Sequence, residues 1–328
     1  MKEDIFKKCL VIGTIIMFLG AGAVSALSSN LNPISKNISL GNTLYVGGPG
    51  NYRHIQDAIN DADDGDTVFV YDTDSPYGEN LVVNRSIILK GENRDTTVID
   101  GDGRYGNVVI ISSSEVKIES FTIQRSYDCR AGITLCESNY VTISNNIIVD
   151  NFWGIELNNS HFNRIIGNII RENQVVGIMS YNSANGNIIR DNDIIYNGKY
   201  DDPSMGIALG ISHSNHILNN NISNNDIGIE FFHNNRNNIV GNTFSENRQY
   251  GIYLQHSKNN KMISNDFVDN AVDVYFINNN IFHNNFYLRN YWNESLTKPK
   301  IIYGVVGELF TSGNKWINFD FLPRSQPK

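Results

Sequence analysis

The chain has 328 residues, of which 41% are hydrophobic and 18% are charged, and its formal net charge is −8. That apolar content is enough for a sizeable core, which excludes wholesale disorder. No long run of Lys or Arg occurs, so a nucleic-acid partner, which needs clustered cations, is not expected.

The first 26 residues have the order of a secretory signal peptide. Three lysines precede an apolar run over residues 9–24, and Val24-Ser25-Ala26 offers a cleavage site. The run is short for a bilayer span of about 20 residues. We therefore expect cleavage after Ala26 and a secreted or cell-surface protein. An uncleaved N-terminal anchor, through which alone the chain would contact a membrane, is the alternative.

A linker over residues 27–43 leads to an N-terminal cap and first coils over residues 44–105. Apolar residues spaced at i, i+3, i+4 and i+7 predict an amphipathic helix: Ile55, Ala58, Ile59 and Ala62. We expect Gly65 to end this helix and the helix to lie across the first coil. Short β-branched runs follow it, as is typical of strands.

Residues 106–290 repeat with a nearly fixed step. Gly-Ile pairs begin at Gly132, Gly154, Gly177, Gly206, Gly228 and Gly251, which are 22, 23, 29, 22 and 23 residues apart. A second phrase, Asn-x-[Ile/Phe]-x-x-Asn, follows each pair after 14 or 15 residues. Two phrases that keep phase over six copies indicate a stacked-repeat architecture.

Apolar residues alternate within each unit, as Ile229 and Phe231 do around Glu230. This period of two predicts strands rather than helices. Three short strands in each unit, without helices between them, predict an all-β protein. We expect a single-stranded parallel β-helix of about ten coils, capped by the N-terminal helix, with copies about 4.8 Å apart along the axis.

This stacking explains the abundant asparagines. Asn146, Asn168, Asn192, Asn220, Asn242 and Asn265 fall at one offset and predict a structural ladder. A second column is Asn151, Asn173, Asn197, Asn225, Asn247 and Asn270. Asparagine tolerates the left-handed backbone of tight turns, and its amide can bond to its copies above and below. The glycines are expected at corners where a side chain would clash or φ is positive.

The 29-residue step predicts a polar loop at residues 197–206. Asp201-Asp202, with Asp191 and Asp193, are the nearest approach to a pair of catalytic carboxylates, but their spacing does not show a pair facing one bond. Catalytic residues are thus unknown from the sequence. The aromatic segment 291–328 is expected to form a C-terminal cap.

The residue between the two buried positions of each unit should point outward. This column supplies four candidate carbohydrate-binding residues: Glu156, Glu230, Tyr253 and Tyr275. His233 and His256, each five residues past its glycine, should be neighbours about 5 Å apart and are candidate metal ligands. An ordinary, regularly arrayed surface is the alternative.

A further outward column is partly acidic: Asp150, Glu172, Tyr196, Asn224, Glu246 and Asp269. Stacked carboxylates can hold Ca²⁺. Because Tyr196 and Asn224 interrupt the column, a solvated flank is the favoured interpretation. No cofactor is therefore certain, and Cu and Ca are the two to consider.

The Asn-x-[Ile/Phe]-x-x-Asn and Gly-Ile-x-Leu units resemble the repeats of the NosD-like family, described as periplasmic copper-binding proteins. The segment 44–70 is similar to the N-terminal cap of pectin-lyase-like folds, and the tail after residue 290 looks like that of secreted archaeal members. The resemblance implies a right-handed parallel β-helix. The Asp-Pro-His motif of alginate epimerases and the Gly-His-Gly of polygalacturonases are absent from the sequence.

Three functions stay open at this point. We expect a non-catalytic protein that binds a polysaccharide or surface glycan. A copper-binding or metal-delivery role, as the family name implies, is the first alternative. A polysaccharide lyase, hydrolase or epimerase is the second, because this fold often carries such enzymes.

Overall fold

The computed structural model describes residues 41–103, 105–127, 129–198, 204–278, 285–293, 300–306, 314–320, 322–324 and 326–327. The predicted signal peptide, nearly all of the predicted linker and Asp201-Asp202 lie outside the described residues. Within these ranges no helix has the length and apolarity needed to cross a bilayer.

Three parallel sheets run along the molecule. Sheet A consists of Thr43–Val46, Thr67–Val70, Ile88–Gly91, Lys117–Glu119, Thr142–Ser144, Arg164–Ile166, Ile188–Arg190, His216–Leu218, Asn238–Val240, Lys261–Ile263, Phe286–Leu288 and Asn314–Asp320. Sheet B consists of Val98–Asp100, Thr122–Gln124, Ile147–Val149, Ile169–Arg171, Asp193–Ile195, Asn221–Ser223, Thr243–Ser245, Asp266–Val268 and Tyr291–Trp292. Sheet C consists of Leu81–Val83, Val109–Ile111, Ala131–Cys136, Trp153–Asn158, Val176–Asn182, Met205–Gly210, Ile227–Phe232, Tyr250–Gln255, Val272–Asn278 and Lys300–Val306.

The chain winds through sheets C, A and B in turn, and each strand pairs in parallel with its copy one coil away. In sheet C, for example, Ile155 pairs with Ile178, and Ile207 pairs with Ile229. These isoleucines are fully buried and form the core inside the coils. The prediction of an all-β parallel β-helix with about ten coils and three strands per coil is confirmed.

The asparagine columns are continuous chains of hydrogen bonds. In the first column, the backbone N–H and side-chain Nδ2 of Asn220 both donate to Oδ1 of Asn242, each at 2.8–2.9 Å. Asn242 donates in the same way to Asn265. Each Nδ2 also donates to a backbone carbonyl, as Asn220 does to Ile189 at 2.9 Å. These buried amides therefore satisfy one another along the axis, all pointing in the same direction.

A third ladder escaped the sequence analysis. It lies where the chain enters sheet A and consists of Asn163, Asn187, Asn215, Asn237, Asn260 and Asn285, linked by backbone N–H to Oδ1 bonds. Each of these asparagines stands two residues before the buried residue of a sheet A strand. That spacing is the signal that could have revealed the ladder.

The prediction of left-handed backbone at the ladder asparagines is wrong. Positive φ occurs one residue earlier, for example at Asn145 (55°), Gly167 (65°) and Asp150 (56°). The left-handed residue turns the chain, and the side chain that follows it points into the coil. The acidic outward column from Asp150 to Asp269 consists of such turning residues.

The glycines of sheet C are required because space is short. A Cβ added to Gly228 would lie 2.5 Å from the carbonyl oxygen of Gly251, and one added to Gly206 would lie 2.7 Å from that of Gly228. Of the two reasons predicted for these glycines, steric clash is the one that applies.

Each end of the coil is covered. The helix Ile55–Asp61 buries Ile55, Ala58 and Ile59 at the first coils; it ends four residues before Gly65. The carboxylate of Glu79 accepts the backbone N–H groups of Ile55 and Gln56, at 2.9 and 3.0 Å. At the other end, Lys300–Val306 pairs antiparallel with Asn314–Asp320.

Candidate functional site

The outer face of sheet C is the candidate site. Its central column, in register from coil to coil, is Thr134, Glu156, Met179, Ala208, Glu230, Tyr253 and Tyr275. We call these residues the sheet C face. The structure thus places the four predicted carbohydrate-binding candidates in one outward column.

Glu230 lies at the centre of a polar cluster. Nε2 of Gln255 donates to its Oε1 at 2.7 Å. Burial raises the pKa of the Glu230 carboxyl, and the Gln255 bond only partly opposes this. Burial, followed by the nearby Glu230 charge, also raises the pKa of Tyr253 to about 12. Tyr253 is therefore a neutral hydrogen-bonding group at all physiological pH values.

Three tyrosines cluster beside Glu230. The ring centroid of Tyr250 lies 5.0 Å from that of Tyr253 and 5.7 Å from that of Tyr275, with interplanar angles of 17° and 29°. The near-parallel rings cover part of one another's faces, so the cluster offers less open aromatic surface than the sequence suggested. Tyr250 and Gln255 were missed by the sequence analysis. The period-two rule places Gln255 outward with Tyr253, but it places Tyr250 inward with Ile252. In the structure Gly251 and Ile252 both face inward, which leaves Tyr250 outward.

Glu156 stands at the other end of the sheet C face. Oγ1 of Thr134 donates to its Oε2 at 3.0 Å. Burial raises the pKa of Glu156, while the Thr134 bond and the charge of Arg130 lower it to a smaller extent. Glu156 and Glu230 are three strands apart, which corresponds to about 14 Å. Carboxyl pairs that hydrolyse glycosides lie within about 9.5 Å of each other, so these two do not form such a pair.

The part of the sheet C face between the two glutamates is apolar. Met179 and Ala208 are only 2% and 3% exposed, and they pack with Val176, Trp153 and Met205. The face therefore has an apolar centre with a hydrogen-bonding carboxyl at each end.

His233 and His256 lie at the corner between sheets C and A. Their ring centroids are 5.0 Å apart, and both residues have positive φ. The rings of Phe232 and His233 are nearly perpendicular, with centroids 4.4 Å apart. The structure thus places the two predicted metal candidates side by side.

A copper site requires more than this pair. Tetragonal Cu(II) sites take four N or O ligands, and the two imidazoles supply two. Within the described residues, no group of three or more His, Cys, Asp or Glu side chains is arranged to hold a metal ion. The residues present therefore do not by themselves fit a closed Cu(II) or Ca²⁺ site.

The remaining sequence candidates have local partners. Asp191 forms an ion pair with Arg190 at 2.9 Å, and Oδ1 of Asp193 accepts a bond from Asn221 at 3.2 Å. Glu172 of the acidic column pairs with the adjacent Arg171.

Comparison with known proteins identifies the family. The sequence profile described as "Periplasmic copper-binding protein (NosD)" matches residues 59–320, which is most of the chain. The chain belongs to the NosD family. No curated protein sequence matches it. The periplasmic description of the NosD family indicates an extracytoplasmic location.

Solved structures share the fold of this NosD family member. An alginate lyase from Paenibacillus sp. str. FPU-7 is 14% identical with a TM-score of 0.53, over 72% of this chain and 93% of that one. Pectate lyase Pel9A is 16% identical with a TM-score of 0.53, over 78% and 75%. ORF18 of Geobacillus virus E2 is 13% identical with a TM-score of 0.50; the match covers 80% of this chain and 59% of the viral one. At such identities the likeness shows the fold alone.

Proposed function

We propose that the protein binds an extended glycan along the sheet C face, without catalysis of its own. The observation that carries the proposal is the polar cluster of Glu230, Gln255 and Tyr253, which lies beside the partly exposed rings of Tyr250 and Tyr275. Sugars present both hydroxyl groups and apolar C–H surfaces. Hydrogen-bonding groups next to partly exposed aromatic rings suit both.

The structural relatives support this proposal. Two of them are named as lyases of alginate and of pectate, which are polysaccharides. The wide separation of Glu156 and Glu230 favours binding over hydrolysis. Export through the 1–26 segment would bring the protein to such ligands; N-terminal sequencing of the mature protein is expected to begin at Leu27.

A glycan array with the purified protein tests the proposal. Tyr253→Phe and Glu230→Gln each remove a hydrogen-bonding or ionisable group while keeping the shape of the side chain. Each is expected to weaken binding roughly tenfold, the effect of one good polar contact. Tyr140→Phe and Glu246→Gln, at exposed positions on two corners of the coil, are the matched controls. A wild-type protein that binds no glycan on the array would refute the proposal.

The same samples distinguish a catalytic role. Incubation with uronate polymers should give neither unsaturated products nor new reducing ends. If either appears and is lost in Glu230→Gln, the face belongs to an enzyme rather than to a binding protein.

Copper binding is a second candidate, which the family match and the stacked pair His233 and His256 favour. Titration with Cu(I) and with Cu(II) should show binding that His233→Ala and His256→Ala each abolish. His54→Ala, an exposed histidine on the N-terminal cap, is the control. Equal copper binding by all three variants would exclude the pair as the site.

A further inference from the structure

One side of the molecule has a charge opposite to that of the whole. In five consecutive coils, the segments that form sheet A and its two flanking corners are residues 159–168, 183–192, 211–220, 233–242 and 256–265. They contain five Lys or Arg residues and a single carboxylate, Asp191. The chain as a whole has a net charge of −8. The charges are thus unevenly distributed over the sides of the coil. We call sheet A and its two flanking corners in these five coils the basic side.

Each of the five coils contributes at least one basic residue to this side. Arg164, His216 and Lys261 hold the first outward position of their sheet A strands. Arg190 holds the second outward position of its strand, and Arg236 comes from the corner before Asn238–Val240. We call these five residues the basic row. Because neighbouring coils are about 4.8 Å apart, the row spans about 19 Å along the axis.

Most of the charge on the basic row is not neutralised by the protein. Arg164, Arg236 and Lys261 are exposed, and among the described residues none of them has a carboxylate within ion-pair distance. Only Arg190 is paired, with Asp191. His216 is half-buried and its Nδ1 lies 3.3 Å from Nδ2 of Asn238. Three exposed cations thus face solvent, in the first, fourth and fifth of these coils.

An aliphatic ridge runs beside the basic row. Sheet A strands have two outward positions. The second one holds Ile166, Leu218, Val240 and Ile263, all partly exposed, with Arg190 between Ile166 and Leu218. The side therefore offers apolar contact next to positive charge.

We propose that the basic row and its aliphatic ridge bind an acidic polysaccharide with one carboxylate on each sugar, such as a polyuronate. A 1,4-linked pyranose chain advances by close to one strand spacing for each sugar, so three of its carboxylates can lie beside Arg164, Arg236 and Lys261. The C–H faces of the sugars pack on the ridge. This surface is separate from the sheet C face and does not depend on the function proposed for it.

Nucleic acid fits the surface less well. The phosphates of a duplex strand follow one another about every 3.4 Å along the axis, which is out of register with the coils. Single strands are held chiefly by stacking of bases on open aromatic faces. The exposed aromatic pair at this corner, Tyr140 and Phe162, is stacked with centroids 5.6 Å apart, and the Phe162 ring also lies over Gly186.

The test compares two double variants that change the net charge equally. Arg164→Gln with Lys261→Gln removes two cations of the basic row. Arg53→Gln with Arg85→Gln removes two exposed cations at the N-terminal end. Binding of mannuronate and guluronate oligomers, of cello-oligosaccharides and of oligo-dT is measured by calorimetry at 50 and 500 mM salt.

The wild-type protein should bind the uronate oligomers in a salt-sensitive manner and bind the neutral oligosaccharides at this surface weakly. Loss of two contacts between cations of the row and uronate carboxylates should weaken uronate binding by about tenfold or more. The N-terminal control variant should leave uronate binding unchanged. Tyr253→Phe, which removes a contact of the sheet C face, shows whether the uronate binding belongs to that face instead. Equal loss in both double variants, loss only in Tyr253→Phe, tighter binding of oligo-dT, or no uronate binding at 50 mM salt would each overturn the proposal.

Discussion

Asp320 shows how much a single residue can contribute at the end of a repeating structure. It is fully buried and takes the position of the next asparagine in the first ladder. Its Oδ2 accepts the backbone N–H and Nδ2 of Asn290, both at 2.9 Å, and Nε1 of Trp292 at 3.2 Å. Its Oδ1 accepts the N–H groups of Arg289 and Leu322. A carboxylate has no donor of its own, so it can end a chain in which every amide donates in the same direction.

We therefore predict that Asp320→Asn destabilises the protein by about 3 kcal/mol. The new amide group would direct N–H donors at existing donors and would remove the charge that strengthens the bonds. Urea unfolding measures the change. Asp269→Asn, at an exposed corner, should have little effect; equal effects in both variants would contradict the role of Asp320.

Glu230 gives a prediction for the pH dependence of stability. Burial raises its pKa, so between the ordinary pKa of a glutamate and the raised value the folded protein holds a proton that the unfolded chain has released. The contribution of this group to stability thus decreases as pH rises through that window. Glu230→Gln cannot ionise and keeps an oxygen for Gln255. Its melting temperature relative to wild type should rise from pH 4 to pH 7, with Glu246→Gln as the control for loss of an exposed carboxylate.

At the scale of the element, the strands and their register could be predicted from the sequence because the Gly-Ile pairs and the Asn-x-[Ile/Phe]-x-x-Asn motifs recur at a constant separation. Once Gly154, Gly177 and Gly228 align, the inward and outward residues of sheet C follow from period two. The position of the turn could not be obtained in the same way. Asn145 and Asn146 are the same residue type, yet Asn145 turns the chain and the side chain of Asn146 points inward. Only the path of the backbone distinguishes them.

The candidate site was only partly accessible for a related reason. The column that contains Glu156 and Glu230 follows from the repeat. The deep burial of Met179 between them does not, because the sequence pattern marks it only as an outward residue.

The glycine column gives a prediction for the element. Gly228→Ala would bring Cβ to 2.5 Å from the carbonyl oxygen of Gly251, which only movement of the backbone can relieve. We expect a loss of stability of about 3 kcal/mol, since overpacking of a rigid site typically costs 1–3 kcal/mol or more. Gly167→Asn is the control: nothing lies near its Cβ, and Asn145 and Asn219 occupy equivalent left-handed positions. Thermal unfolding of both variants measures the difference.

At the scale of the whole molecule, the coil is a parallel stack whose end strands have unpaired edges. Its front is covered by the short helix Ile55–Asp61, whose first N–H groups are held by Glu79. The stability of the molecule therefore depends on a cap of only two turns.

Ile59→Asp should release this cap. Ile59 is fully buried, so a carboxylate there loses apolar burial and leaves a desolvated charge, which together cost about 4 kcal/mol. We expect concentration-dependent association through the uncovered strands, measured by light scattering. Asn60→Asp adds the same charge at the next, exposed position and should stay monodisperse. Association in both variants would point to charge rather than to the cap.

Because the asparagine hydrogen bonds all run in one direction, an additional coil of the same kind can be inserted between two interior coils. Each ladder asparagine accepts hydrogen bonds from the coil before it and donates hydrogen bonds to the coil after it. Duplicating one unit, such as residues 206–227, would therefore add one asparagine to each ladder without disturbing its neighbours. Asp320 must stay at the end of the first ladder. The molecule can thus be lengthened from its middle by whole coils. Any surface that repeats from coil to coil would grow by the same step and could contact a correspondingly longer polymer.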